Sequence, residues 1–405
     1  MYLIRFFRKK TNGMIFAYII IENKKGGTIM DKKNKLSFVG AFSLASVWFG
    51  AHVGGGFASG SQTMSFFIRY GRYASLFAVI SMALVGLTYR ENMIMARHYG
   101  AYDYHSFGKA LFEPYNKVLS PVYDICYIMA GLLAVSASIA GAAALLTDIF
   151  KISYFFSVAI IGILTLLMSM FGSQIVSRAS SVLTILIVVS FFIICIEGIS
   201  LGSEMLKINL AQPVETTTLW KGAIKALSYA GFQCFAFLGL LGATSLTVDD
   251  KDCTTVTGIG FVLNAVMIAL TVFLIQAFMP VVAKETLPIL AASKLTGKTY
   301  LIIAYSIALF CAFLSTAVAV VYGNITLFTR MAVEKGSNLA NRKKILSSII
   351  GVIIIVISML VSSFGLTKII AVGYSYFGYI GIFLVIIPSL TYGHYRNKKF
   401  KEKSN

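Results

Sequence analysis

Gly50-Ala51-His52-Val53-Gly54-Gly55-Gly56-Phe57-Ala58-Ser59-Gly60 decides how the chain is read: five of these eleven residues are glycine, and the stretch lies inside an apolar run from Leu36 to Phe67. A run of that length crosses a bilayer, which takes about 20 residues. Each glycine weakens a helix by roughly 1 kcal/mol relative to alanine, so Gly54, Gly55 and Gly56 in succession favour a break. Loose backbone at membrane depth is tolerated only where protein encloses it or it lines a cavity. Helices interrupted in this way are where transporters bind solutes and ions. The competing reading is close helix packing by small residues, but packing glycines recur every fourth position on one face. The stretch therefore predicts a broken first span.

Working outward, the 405-residue chain is 58% hydrophobic and only 13% charged, with a mean hydropathy of +0.81. Soluble domains carry about 25% charged residues, so this is an integral membrane protein. Six prolines and long apolar runs indicate helices, not the short alternating strands of a barrel. The net charge of +19 lies mostly between apolar runs and at the C-terminal end, as cytoplasmic loops require, and does not point to nucleic acid. Cys126, Cys195, Cys234, Cys253 and Cys311 have no metal-like spacing and read as packing thiols. His52, His98, His105 and His394 form no cluster. No cofactor and no resident metal are expected.

Residues 1–29 read differently. Their apolar stretch, Met14 to Ile21, is too short to span and lacks a small-residue cleavage site. Lys24-Lys25-Gly26-Gly27 is what a ribosome-binding site spells in translation, which makes Met30 the expected start; the alternative is a cytoplasmic tail with an interfacial segment.

Ten apolar spans follow, near 37–69, 73–97, 119–149, 154–173, 178–203, 219–246, 256–280, 299–330, 342–363 and 366–394. Lysine and arginine are in excess on the connections that share a side with the N-terminus. A multi-pass protein of the cell (inner) membrane with both termini cytoplasmic is expected. The expected division is a tail over 1–35, a first five-helix half over 36–203, an extracellular connection over 204–218, a second half over 219–394 and a basic tail over 395–405, solvated near anionic lipid. Residues 101–116 have an amphipathic pattern that predicts a short interfacial helix. The matched halves suggest an inverted repeat, in which span 6 would also break, near Gly231 and Gln233. An interhelical hydrogen bond is the other explanation of Gln233.

A break offers carbonyls at the end of one half-helix, suited to a cation, and N–H groups at the start of the next, suited to a carboxylate. Span 8 carries Ala312-Phe313-Leu314-Ser315-Thr316, whose hydroxyls either complete a shell for a hard ion such as Na⁺ or bond back to their own helix. Tyr229 and Phe232 flank the expected second break and are candidate lining residues. Asp124 in span 3 and His52 are the intramembrane ionisable residues with a candidate proton or gating role; a neutral packed histidine is the alternative.

The run Val53-Gly54-Gly55-Gly56-Phe57-Ala58-Ser59-Gly60 resembles the glycine-rich first helix of YkvI-like membrane proteins, within the amino acid–polyamine–organocation superfamily of LeuT fold. The resemblance covers most of the chain from about residue 36 in length, span count and loop pattern, and its specific motif is that of the first helix. It implies an all-α polytopic membrane protein of ten transmembrane helices, a 5+5 inverted repeat with broken helices 1 and 6. The Gly50-to-Gly56 spacing is also similar to the unwound segment of sodium symporters of that fold. That similarity implies a Na⁺ site from the carbonyls of Gly50, Val53 and Ala312 and the hydroxyls of Ser315 and Thr316. Two departures stand out. Phe57 replaces an asparagine of symporters with a second sodium, and Gly60-Ser61-Gln62 replaces Gly-Gln-Glu of the YkvI-like relatives.

These features lead to a secondary active transporter of a small zwitterionic or cationic solute, amino acid-like and Na⁺-coupled. The solute would meet Gly54, Gly55, Gly56, Phe57, Tyr229, Phe232 and Gln233. The alternatives are a ligand-sensing membrane receptor subunit of the same fold and a proton-coupled transporter using His52. No enzymatic motif appears. The expected partners are the solute and the lipid bilayer, and the sequence is silent on oligomeric state.

Overall fold

The computed structural model describes residues 36–334 and 343–404, with the side chains of 171–184, 330–334, 343–344 and 404 excepted. The expectation of a start at Met30 lies outside the described residues. All regular elements among the described residues are helical. Among the described residues, seven helices are long and apolar enough to cross a bilayer, and an eighth crossing is counted if Ile185–Leu201 and Ser203–Ala211, bent by 75°, form one span. Phe38–His52 and Tyr154–Met170 are shorter apolar helices. The chain is thus a multi-pass membrane protein.

The first span is three helices. Helix α1 (Phe38–His52) starts at Ser37, whose hydroxyl accepts the Gly40 N–H at 3.1 Å, the cap that side-chain oxygens provide at helix starts. It stops where the glycines begin. Val53 still donates to the Phe49 carbonyl, but Gly54 is extended, at φ −52° and ψ 164°. One turn follows, α2 (Gly55–Ala58), and then Gly60 takes φ +83° before α3 (Ser61–Phe66). That φ suits glycine alone without strain, and a Cβ at Gly60 would also stand 2.8 Å from Ile289 Cγ1. The expected break is therefore two breaks, at 53–54 and at 59–60.

The remaining elements are α4 (Ala74–His98), α5 (Tyr104–Leu111), α6 (Asn116–Phe150), α7 (Tyr154–Leu167), α8 (Ser173–Leu201), α9 (Ser203–Ala211), α10 (Thr216–Phe237), α11 (Leu241–Ser245), α12 (Asp250–Ala277), α13 (Pro288–Leu295), α14 (Thr299–Glu334) and α15 (Lys343–Ser362). Helices α16 (Leu366–Lys368), α17 (Ser375–Gly381) and α18 (His394–Ser404) are joined by wide π turns. Helix α4 packs on α10 and α12, α14 packs on α6 and α8, and α1 packs on α12. All five cysteines are free.

Four expectations change. Span 6 does not break at Gly231: α10 is regular through Phe237 and tightens to a 3₁₀ turn only at Leu238–Leu240. Gly231 is used for packing instead, since a Cβ there would stand 2.0 Å from the Gly378 carbonyl oxygen. Small residues at such a seam let two backbones touch. The connection after span 5 is helical (α9) and docks on α12, with Asn209 Nδ2 donating to the Gln276 carbonyl at 2.8 Å. The amphipathic stretch does form α5, but its apolar face (Tyr104, Phe107, Leu111) is buried against protein, on α6. The basic tail is also helical. Asn397 is buried and donates to both the carbonyl and the carboxylate of Glu91, Arg396 lies over the Tyr99 ring, and Phe400 stacks on His98.

Candidate functional site

The two breaks leave α2 as a single turn pressed between longer helices. A Cβ on Gly55 would stand 2.2 Å from Phe313 Cδ1 of α14, and one on Gly141 of α6 would stand 2.2 Å from Cε1 and Cζ of the same ring. Only glycine at both places admits the ring there. One turn further along α14, Thr316 reaches the first break: a Cβ on Gly54 would lie 3.2 Å from Thr316 Oγ1 and 3.4 Å from the Ala51 carbonyl oxygen. Thr316 Oγ1 and Ser315 Oγ both donate to the Ala312 carbonyl, at 2.8 and 3.2 Å. Ala312, Ser315, Thr316 and the break thus share one neighbourhood. Val53 is buried beside it, and the space where a Gly50 Cβ would go is open to 4 Å.

The second break is clamped by α14 and by the segment around α13. Tyr305 of α14 donates its hydroxyl to the Ala58 carbonyl at 2.5 Å. The Ser59 carbonyl accepts the Ile289 N–H of α13, and Ser61 Oγ donates to the Thr286 carbonyl at 2.5 Å. Nothing in the sequence around Tyr305 marks it out from the other tyrosines of the spans.

A buried polar chain runs behind the break. His52, 3% exposed, places Nδ1 2.6 Å from Asn264 Oδ1 and Nε2 2.8 Å from the Tyr229 hydroxyl. Asn264 Nδ2 donates to the Gly260 carbonyl at 2.7 Å. Only the amide nitrogen can donate there, so the Asn264 oxygen faces the imidazole and Nδ1 carries a hydrogen. Tyr229 OH lies 3.2 Å from Gln62 Oε1, which also accepts Gln233 Nε2 at 3.1 Å. The nitrogen of that Gln62 amide turns to the break, 2.7 Å from where a Gly56 Cβ would be. Sequence reasoning noted Gln62 only as a departure from relatives; an amide in an apolar span was the signal available.

The residues expected to line a solute pocket divide accordingly. Phe57 N–H is not free, since it donates to the Gly54 carbonyl at 3.0 Å; this closes the one-turn helix on itself. The first-turn groups of Gly55 and Gly56 have no intrahelical acceptor, as at any helix start. Tyr229 and Gln233 hold Gln62, and Phe232 stacks on Tyr374 with centroids 3.8 Å apart. Asp124 is not brought to the break. It pairs with His105 of α5, Oδ2 to Nδ1 at 2.6 Å.

A cavity of about 890 Å³ opens where α6 stops and α13 and α16 begin. Lys151, Lys284, Lys294 and Lys368 line it, with Asp148 and Glu285. Thr286 and Leu287 also line it, and the Ser61–Thr286 bond lies between it and the glycine break.

No protein-family model matches the chain, and no curated protein does either. Solved structures do. MhsT in complex with L-phenylalanine aligns over 93% of this chain and 100% of its own, at 17% identity and a TM-score of 0.58. Two variants of the manganese transporter of Eremococcus coleocola align over 87% of this chain and 78% of theirs. Their identities are 14% and 16%, with TM-scores of 0.54 and 0.53. At these identities the likeness is one of architecture: this chain has the fold of LeuT-type transporters.

Proposed function

We propose that the chain is a secondary active transporter of a small zwitterionic or cationic solute, amino acid-like, coupled to Na⁺ and working by alternating access in the cell membrane with both termini cytoplasmic. The observation that carries this reading is the meeting of Thr316 with the extended residue Gly54. It sets a hydroxyl pair and the Ala312 carbonyl beside a helix end whose carbonyls have lost their partners. Oxygen ligands of this kind suit a hard monovalent cation, and the ends of interrupted helices suit charged solutes. Gly50, Val53, Ala312, Ser315 and Thr316 form the ion site in this reading. The solute carboxylate meets Gly55 and Gly56, with Gly54, Phe57, Tyr229, Phe232 and Gln233 around it. The broken first span and Tyr154–Met170 join the eight longer crossings to make ten, as two inverted five-helix halves.

The test is solute-dependent thermal stabilisation of the purified chain with and without Na⁺, screened over amino acids and amines, followed by flux in proteoliposomes. Ser315→Ala with Thr316→Ala removes the sodium dependence if the assignment holds; unchanged sodium-stimulated binding in that double variant refutes it. Binding without flux favours a ligand-sensing receptor subunit.

A further inference from the structure

The long helices sort into two packed sets. In one, α4 packs on α10 and α12, and α1 packs on α12. In the other, α14 packs on α6, α8 and α15, and α6 packs on α7 and α15. The chain passes from the first set to the second through residues 99–103, which lead from α4 into α5. Gly100 takes φ +64° in this joint, with nothing within 4 Å of where its Cβ would be. Only glycine adopts that φ without strain, and short loop segments of this kind absorb the rotation between packed bodies. Helix α5 belongs with the second set: it packs on α6, where His105 Nδ1 lies 2.6 Å from Asp124 Oδ2. Helix α18 spans the joint and is bonded on both sides of it. On the α4 side, Asn397 donates to the Glu91 carbonyl and carboxylate at 3.1 and 3.0 Å, and Phe400 stacks on His98 with centroids 4.3 Å apart. His394 Nδ1 lies 3.3 Å from the same carboxylate. On the α5 side, Arg396 donates to the Ala110 carbonyl and, at 2.7 Å, to Glu113 Oε2. Tyr392, just before α18, donates its hydroxyl to the Glu113 carbonyl at 2.7 Å. Ala110 is in the last turn of α5, where carbonyls lack a partner within the helix and favour a cation.

We propose that α18 is a strap across the α4–α5 joint: docked, it holds the two sets together at this end of the bundle, and release of either attachment lets them part. The proposal rests on the transporter reading for its use, since alternating access parts the sets at one end at a time, but not for its geometry. Arg396 is the centre of the strap. Its guanidinium lies over the Tyr99 ring, 4.2 Å from the centroid, while its N–H groups reach the end of α5. A guanidinium has a flat face and a rigid fork of donors, so one side chain grips the first residue of the joint and the helix beyond it. Asn397 is the next residue, so the two attachments act in series. The strap links the sets only while both hold, and cutting one has the effect of cutting both. Contacts that only stabilised α18 would leave the distance between the sets unchanged.

The experiment is a spin–spin distance measurement on the full chain in detergent. The labels sit on a genetically encoded ketone amino acid, so that the native cysteines stay in place. One pair replaces Lys117 at the start of α6 and Thr255 near the start of α12; the control pair replaces Phe150 at the far end of α6 and Trp220 of α10. All four positions are exposed. Arg396→Gln cuts the α5 side and Asn397→Leu cuts the α4 side. Each is expected to add the same longer distance to the 117–255 distribution, the double variant to go no further, and the 150–220 distance not to lengthen. A 117–255 distance that changes in neither or only one single variant, that lengthens again in the double variant, or that lengthens together with 150–220, overturns the proposal. Should Arg396→Gln not fold, Glu113→Gln with Tyr392→Phe, both at exposed positions, cuts the α5 side and is expected to shift the distribution in the same direction. No solute enters this measurement, so its failure leaves the transport reading standing, and an absence of flux leaves the strap standing.

Discussion

Phe313 of α14 approaches Gly55 of α2 so closely that a Cβ on Gly55 would stand 2.2 Å from its ring and 2.8 Å from its Cα. Part of the obstruction is backbone, so rotating or shrinking the ring cannot remove all of it. Gly55→Ala is expected to lower stability by about 1–3 kcal/mol, the usual cost of overpacking, read as an earlier melting transition in detergent. Adding Phe313→Leu is expected to recover only part of the loss. Full recovery would show that the ring alone defines the fit.

The seam between α10 and α17 is tighter still. Gly231, Gly378 and Gly381 each place a potential Cβ within 2.0–2.2 Å of a backbone oxygen on the facing helix. Gly231→Ala is expected to separate the helices and to be more damaging than Gly258→Ala on α12, where nothing lies within 4 Å. Comparable melting temperatures for the two variants would contradict the seam.

The C-terminal helix is held by specific bonds, not by charge alone. Asn397 donates to Glu91 Oε2 at 3.0 Å and to its carbonyl at 3.1 Å, at a carboxylate only 7% exposed that also pairs with Arg90. Removal of residues 394–405 leaves that carboxylate short of donors, at a cost of about 1–3 kcal/mol. Asn397→Leu is expected to reproduce most of that loss, whereas Lys401→Ala with Lys403→Ala, at exposed positions, changes little. If the lysine variant matches the deletion, the helix is held by lipid charge instead.

Much of this was legible because the decisive signals are local. Three consecutive glycines state a helix break without reference to any other residue, and the apolar runs state the membrane. What failed was reading Gly231 by the same rule. A single glycine serves a break and a seam equally well, and the distinction lies 147 residues away, at Gly378. Gln62, Tyr305 and Asn397 were illegible for the same reason. Each takes its meaning from a partner on another helix, and a lone polar residue does not name its partner. Phe57 N–H was misjudged because the second break at Gly60 shortens α2 to one turn, which closes on its own first carbonyl.

The cavity beside α13 makes a final prediction that needs no knowledge of the solute. Four lysines, Lys151, Lys284, Lys294 and Lys368, face two carboxylates, Asp148 and Glu285, across its walls. Two of these lysines share Asp148, Lys294 at 2.5 Å and Lys151 at 3.6 Å, which leaves one positive charge in excess there, and Lys284 with Lys368 outnumbers Glu285 by one more. A recess with an excess of one sign of charge concentrates ions of the other sign. A cysteine placed at Thr367, on the cavity wall, should therefore react faster with an anionic thiol reagent than with a cationic one of equal size. Lys284→Glu with Lys368→Glu should invert that preference. Both effects should be largest near 10 mM salt, where the Debye length is about 30 Å, and small at 0.15 M, where it is about 8 Å. A rate ratio that ignores salt and both substitutions would mean that the ion pairs at Asp148 already neutralise the cavity, and that solute charge is selected only at the break.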